Sequence, residues 1–450
     1  MLEKIREYVA NNRDDIVSDL RNLVKHPSIS AQDVGIEECA SALNEIMRDS
    51  GISSNIIKLR DGNPVVYGEV RSSRSKKTLL LYSHYDVQPV EPLDAWRYNP
   101  FSGVVTDEKV HGRGAADSKG NVIALIKAAK GFLDKFGEPP LNLKFLIEGE
   151  EEISSINLPE FAKSNRAMLK ADSSLCFDGS MNPSGSASIY AGLKGLLYLE
   201  LRSKTASVDM HSSLAPIAPN PVWRLMKALS TIKGDGKITV DGWYGDVKVP
   251  TRGDLALLYK LQYDEKMIMK EYGIRELVGG VKGKAALKKL IFEPTCNIAG
   301  IQSGYTSAGS KTVLPSEAFV KLDFRLVYDQ KTDDLIKKLR RHLARNGFVD
   351  LLIFKLGSVE PSKTDVKAKI VKTASNAAKQ VYGKKPSIFP NMWGSGPDFV
   401  FTKLLRLQSV WTGCSPPYAN IHAPNEFTAI KNVLDGVCYA SIIMHEFSKM

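Results

Sequence analysis

The run TLLLYSHYD (78–86) sets the first limit on what this chain can fold into. Its apolar side chains are consecutive rather than alternating, which suits a strand buried on both faces. Such a strand needs covering on two sides, and the flanking sequence supplies the cover. Amphipathic helical patterns occupy 1–25, 36–50 and 118–137, and further strand patterns lie at 54–59, 65–70, 142–152 and 173–179. Helix and strand in this alternation predict an α/β class with a mostly parallel sheet flanked by helices.

From about residue 188 the pattern changes. ASIYAGLKGLLYLELRSKTA alternates and reads as an antiparallel strand pair. A helix at 219–233, a lysine-rich helical stretch at 254–290 and strands at 318–328 and 349–357 around KTDDLIKKLRRHLARNG predict a separate α+β domain. A helix at 363–383, a buried strand at 408–416 and a last helix at 428–449 return to the first pattern. The expected organisation is a first domain in two parts, 1–187 and 361–450, with a second domain inserted at 188–360. A chain of 450 residues exceeds what one core supports, in agreement with two domains.

The formal net charge of +11 raises a nucleic-acid partner or a non-enzymatic basic binding protein as an alternative of a different class. The basic clusters RSSRSKK and KAALKK are short and interleaved with acids, and no helix-turn-helix, RNP or zinc-finger pattern accompanies them, so no nucleic acid is expected. The five cysteines, Cys39, Cys176, Cys296, Cys414 and Cys438, are scattered and form no CxxC pair. That pattern fits a reducing, cytoplasmic setting and argues against a disulfide framework. The first twenty residues carry charges throughout, without the apolar core of a leader, and no stretch reaches the length of a membrane span, so no membrane partner is expected.

The acids and histidines fall at telling places. His84 and Asp86 are two apart at a strand end, so their side chains share a face. Asp117 sits in GRGAADSKGN, between an extended segment and a helix start; Glu151 and Glu152 close the strand pattern in EGEEEISS. Asp178 follows a strand in CFDGS, and His422 follows the last strand in NIHAPNE. These positions correspond to carboxyl ends of strands, where open α/β sheets place ligand sites. Imidazoles and carboxylates together form a hard-to-borderline ligand set for zinc, manganese or cobalt. Two histidines and three carboxylates exceed one tetrahedral ion but serve two ions that share a carboxylate. A lone HxD is more often an ordinary strand end, and EEE more often a solvated run. The strength lies in five such features in chain order. GRGAADSKG lacks both phosphate-loop spacings, which removes a nucleotide role. His26, His111, His342 and His445 read as structural.

The stretches SHYDVQP, GRGAADSKGN, EGEEEIS, CFDG, DMHSS, KTVLPSEAFVKLDFRLV, GSGP and NIHAPNE resemble, in this order and over nearly the whole chain, the co-catalytic zinc exopeptidase and deacylase family. That family includes carboxypeptidase G, aminoacylase, carnosine-type dipeptidases and succinyl-diaminopimelate desuccinylase. The long insert, with GKITVDGWYGDVKVPT and FEPTCNIAGIQSGYTSAGSKTVLP, is similar to the carnosine-dipeptidase-like branch. The resemblance implies a catalytic domain interrupted by a lid and dimerisation domain, and a homodimer. It implies that His84 and Asp178 bind one divalent ion, Glu152 and His422 a second, and that Asp117 bridges them. The ions would be zinc, with manganese or cobalt as alternatives. Asp86 would orient His84, and Glu151 would be the general base toward a water held by the two ions. His211 would donate to the oxyanion, and Arg325 with Gly394, Ser395 and Gly396 would hold a substrate carboxylate. The implied activity is cleavage of an amide bond in short peptides, as a dipeptidase or carboxypeptidase. N-acyl-amino-acid deacylation, as by succinyl-diaminopimelate desuccinylase or acetylornithine deacetylase, is the alternative. Without the resemblance, His211 reads as a satisfied surface histidine, and Arg325 reads equally well as a partner of Asp323. The chain departs from the family pattern at Ser154, where glycine is usual, and in the form of DMHSS. The resemblance also implies a cis peptide after Asp117.

Overall fold

The computed structural model describes residues 1–450, position 271 by its backbone only. Two compact units are present. The first comprises Met1–Gly192, Lys363–Asn391 and Gly396–Met450, and the second Leu193–Ser362 with Met392–Ser395.

The first unit is built on an eight-stranded sheet. Its order is Ser53–Ile57, Val65–Val70, Asn142–Glu148, Thr78–His84, Ser173–Phe177, Gln408–Thr412, Ser188–Tyr190 and Ser387–Phe389. The four central strands run parallel, so their carboxyl ends lie along one rim. Both faces of Thr78–His84 are covered, as its unbroken apolar run requires. Leu79 and Leu81 join the core under the helices Gly120–Phe136, Lys369–Tyr382 and Ile430–Ser448. Tyr82 points the other way, with its ring against Phe401 and Trp411.

Several elements differ from the sequence expectation. Residues 1–25 form two helices, Leu2–Asn11 and Arg13–Lys25, because Asn12 leaves helical geometry and its amide donates to the Tyr8 carbonyl at 2.8 Å. The strand expected over 142–152 stops at Glu148. There the chain turns through Gly149, where a Cβ would lie 2.4 Å from the Tyr85 hydroxyl. The alternating stretch from 188 is no strand pair within one sheet. Ser188–Tyr190 belongs to the main sheet, and Leu193–Lys204 is a single long strand of the second unit.

In the second unit the strands Thr295–Ser303, Glu317–Leu326, Leu193–Lys204 and Leu352–Val359 pair antiparallel in that order, and Met392–Ser395 adds to Leu193–Lys204 in parallel. Glu317–Leu326 buries every second residue, the period of a strand with one covered face. Ala318, Val320, Leu322 and Phe324 pack with Leu225 of the helix Pro221–Ile232 and with Leu335 and Leu339 of the helix Thr332–Arg345.

Candidate metal centre

The rim of the main sheet gathers the acids and histidines singled out above. His84 ends its strand fully buried, in register with Glu148 of the adjacent strand. Its Nδ1 lies 3.1 Å from the Asp86 carbonyl and 3.2 Å from the Asp86 carboxylate. Its Nε2 faces outward, 3.1 Å from Asp117 Oδ1 and 3.5 Å from Asp178 Oδ1. Asp178 directly follows Ser173–Phe177, and its backbone is tied to the next strand by donating to the Thr412 carbonyl at 2.8 Å. The Trp411 indole in turn donates to the Asp178 carbonyl.

The second cluster starts from the other oxygen of the same aspartate. Asp117 Oδ2 lies 3.0 Å from His422 Nε2, which is 3.2 Å from Glu152 Oε2. His422 comes from a loop in which Tyr418, Asn420, His422 and Asn425 all have positive φ, 62° at His422. Asparagine and histidine tolerate that region better than most residues. The peptide Asp117–Ser118 is cis.

Among the described residues, His84, Asp117 and Asp178 form one group able to hold a metal ion, and Asp117, Glu152 and His422 a second. Each offers one imidazole nitrogen and two carboxylates, a donor set suited to zinc, manganese or cobalt. Ligand atoms about 2.0–2.2 Å from a tetrahedral ion lie roughly 3.3–3.6 Å from one another. The 3.0–3.5 Å separations found here are close to that span. The residues present fit two ions with one shared carboxylate.

The closeness of these groups shifts their proton affinities. Burial alone would lower His84, but Asp178, Asp117 and Asp86 outweigh it and raise the imidazole well above its usual range. Hydrogen bonds to Asp117 and Glu152 lift His422 to about 11 against a smaller opposing effect of burial. Asp117 is pushed up by burial, yet its bonds to His422 and His84 hold it below the ordinary carboxylate range. Glu152 is raised to about 7 by burial and by Asp117. Glu151 is raised well above the usual value by burial first, then by Glu152, Asp178 and Asp117, against the opposing charge of His84.

Side chains beyond these groups hold their loops. Asp86 does more than contact His84, since its two carboxylate oxygens accept the N–H groups of Glu151 and Glu152 at 3.1 and 3.0 Å. Gln88 donates to Glu152 Oε2 at 2.8 Å. Glu150, also buried, accepts from the Asn63 N–H at 2.9 Å and from the Asn157 N–H and side-chain amide at 2.9 and 2.8 Å. Glu148 accepts from the Tyr82 and Ser155 hydroxyls at 2.6 and 2.8 Å. Ser154, where the family pattern has glycine, has φ 76°, the left-handed geometry that glycine adopts most easily. Gln88, Glu148, Glu150, Arg113 and Glu426 were not singled out from sequence. Four of them stand inside the motifs SHYDVQP, EGEEEIS and NIHAPNE, and Arg113 opens GRGAADSKGN after one glycine.

Of the remaining candidates, His211, Arg325, Gly394 and Ser395 lie in the second unit. His211 is exposed, with Nδ1 2.8 Å from the Ser213 hydroxyl. Arg325 lies 3.4 Å from Asp323 and donates to the Ser395 hydroxyl at 2.9 Å. Gly394 and Ser395 belong to the strand Met392–Ser395, and Gly396 begins the return to the first unit. His111 lies in a small sheet with its Nε2 2.9 Å from the Thr106 hydroxyl, and His342 meets the Thr231 hydroxyl at 3.1 Å.

A parallel sheet with carboxylates and two histidines at its carboxyl rim, arranged around one shared aspartate, is the plan of a metal-dependent hydrolase. The chain belongs to peptidase family M20/M25/M40, whose sequence signature matches residues 80–445. Among curated relatives, human Beta-Ala-His dipeptidase is 27% identical over 412 residues, covering 86% of this chain and 81% of that protein. The Saccharomyces cerevisiae Cys-Gly metallodipeptidase DUG1 is 26% identical over 409 residues, covering 86% and 82%. Among solved structures, the M20 family metallo-carboxypeptidase Sso-CP2 from Sulfolobus solfataricus superposes with a TM-score of 0.92 at 38% identity, covering 97% of this chain and 99% of that one. The protein is thus a metal-dependent hydrolase of that peptidase family, as the motif resemblance implied, with the mixed α/β fold of the family. No helix among the described residues is long and apolar enough to cross a membrane.

Proposed function

We propose that the enzyme releases the carboxyl-terminal residue of dipeptides and other short peptides, using two divalent ions, zinc by preference. The observation that carries the reading is Asp117, whose two carboxylate oxygens each meet a different histidine, at 3.1 and 3.0 Å. His84 and Asp178 would hold one ion, Glu152 and His422 the other, and Asp117 both. When bound, such ions polarise the scissile carbonyl and increase the acidity of water. Glu151 takes the proton from the attacking water and passes it to the leaving amine nitrogen. Asp86 holds both the His84 ring and the Glu151–Glu152 backbone, so the base and the ligand beside it are positioned together. His211 is the proposed donor to the developing oxyanion. Arg325, with Gly394, Ser395 and Gly396, is the proposed clamp for the substrate's terminal carboxylate, a task its planar fork suits. The metallo-carboxypeptidase at 38% identity supports release from the carboxyl end, and the dipeptidase relatives support short substrates. We place the enzyme in the cytoplasm, an assignment supported by five cysteines that are free and buried. The proposed homodimer follows from the family resemblance.

The test is reconstitution of the metal-free protein with zinc, manganese or cobalt against dipeptides, longer peptides, N-acyl amino acids and succinyl-diaminopimelate. Release of carboxyl-terminal residues from dipeptides is expected; hydrolysis of the acyl substrates alone would reassign the enzyme as a deacylase. Amidating the substrate's carboxyl terminus should cost far more in wild type than in Arg325→Ala, and equal losses reject the clamp.

A further inference from the structure

We infer that Glu426 is a positioning residue for the shared ligand, acting on the backbone of Asp117 with Arg113 as its counter-charge. The inference rests on the proposed reading of Asp117 as the carboxylate between two ions. Glu426 is completely buried, immediately before the strand Phe427–Ala429. Its Oε1 accepts two consecutive backbone donors, the N–H of Ala116 at 3.0 Å and that of Asp117 at 3.1 Å. Its Oε2 accepts from Arg113 Nη1 at 2.9 Å, and its own carbonyl accepts the Gly112 N–H at 3.0 Å. Arg113, 2% exposed, spreads the same connection further. It donates to the Ala423 carbonyl at 3.3 Å and to the Pro89 carbonyl at 3.0 Å, and its guanidinium lies over the Trp96 ring. One buried ion pair therefore joins the loop after His84, the segment carrying Asp117 and the loop carrying His422.

The consequence for the site is geometric. Asp117 has to present one oxygen to the His84 side and the other to the His422 side. A turn of the preceding peptide would swing both oxygens away together. Two successive N–H groups anchored on one oxygen fix that peptide plane, and with it the direction in which the Asp117 side chain leaves the backbone. Asp86 does the same for Glu151 and Glu152, but it also touches His84. Among the described residues Glu426 makes no hydrogen bond to a proposed ligand side chain; apart from its charge near Asp117, it acts on that ligand through the two backbone N–H groups it accepts.

The experiment is calorimetric zinc uptake by metal-free protein against a competing chelator, with kcat, KM and urea unfolding measured on the same samples. Glu426→Asp keeps the charge pair with Arg113 but withdraws the carboxylate by one methylene. It should weaken uptake of both ions roughly 10- to 100-fold and lower kcat with little change in KM. The double variant R113M/E426Q leaves no stranded cation and keeps an amide oxygen for the two N–H groups, so it should recover most of the affinity. R113M/E426L, equally uncharged but without the acceptor, should not. Wild-type affinity in Glu426→Asp, or losses that simply track lost stability in every variant, would overturn the proposal. If R113M/E426L does not fold, the contrast between Glu426→Asp and R113M/E426Q still decides. Should wild type itself take up fewer than two ions, it is the two-ion reading that fails, not the role of Glu426.

Discussion

The two halves of the proposed metal centre are alike in chemistry and unlike in construction. His84 and Asp178 grow directly from the ends of adjacent parallel strands, and His84 is fully buried. Glu152 comes from a short turn and His422 from a loop, where its side chain is 53% exposed. The first half inherits its geometry from the sheet ladder. The second is held by side chains that reach backbone groups: Asp86 to the N–H groups of 151 and 152, Gln88 to the Glu152 carbonyl, Arg113 to the Ala423 carbonyl beside His422, and Glu426, at the end of that loop, to the N–H groups of Ala116 and Asp117. The difference teaches that one site can be rigid by fold and its neighbour only by bracing, with Asp117 common to both.

The largest effect should come from removing what the halves share. Asp117→Ala removes both acceptor oxygens, so both ions should be lost together and activity should fall to background. Metal analysis of the purified variant checks this, and retention of one full ion would show that the halves are independent. Glu151→Gln comes next and should leave the comparison untouched. Both ions should remain while kcat drops by about 10²–10⁴-fold, and loss of metal in that variant would exchange the assignments of base and ligand.

A weaker perturbation probes the contrast itself. Under a mild chelator the ion of the exposed His422 half should leave first, giving two phases of release. The fast phase should vanish in His422→Ala. A single phase in wild type would mean that bracing holds as firmly as the sheet does.

The smallest effect belongs to Glu148, beside His84 in the buried half. Burial, with a contribution from Asp86, pushes this carboxyl up to about 8. Its folded value lies above the unfolded one, so its stabilising contribution is complete below about pH 4.5 and is lost as pH rises through about 8. Glu148→Gln keeps an oxygen for the Tyr82 and Ser155 hydroxyls but cannot ionise. Metal-free wild type should therefore lose more stability between pH 6 and pH 9 than the variant, by up to about 1.4 kcal/mol per pH unit. Urea midpoints at the two pH values measure it, and parallel losses would show that Glu148 stays neutral or is compensated.

Much of this centre is legible in the chain because its chemistry is attached to local patterns. His84 and Asp178 stand where unbroken apolar runs end, and a strand end next to a histidine or acid is visible within ten residues. Asp117 and Glu152 lie in glycine-containing turns beside such runs, and His422 follows the last of them. Gln88, Glu150 and Glu426 were in plain view within the same motifs, yet nothing local separates a bracing carboxylate from a solvated one. EGEEE holds four acids with three kinds of surroundings, and only the Tyr82, Asn63 and Asn157 contacts tell Glu148 and Glu150 from their neighbours. The stretch from 188 misled for a related reason, since alternation reports a strand with one covered face but not which sheet receives it.

By itself, then, the sequence determined the α/β class, the positions of the ligand candidates and the order in which they arrive, since periodicity and strand ends are properties of neighbouring residues. The tertiary structure alone decided that Asp117 faces two histidines, and that Arg113 meets Glu426 across 313 positions of chain. Hydrogen-bond partners are chosen by where the packed sheet brings distant loops together, and no local pattern encodes that choice.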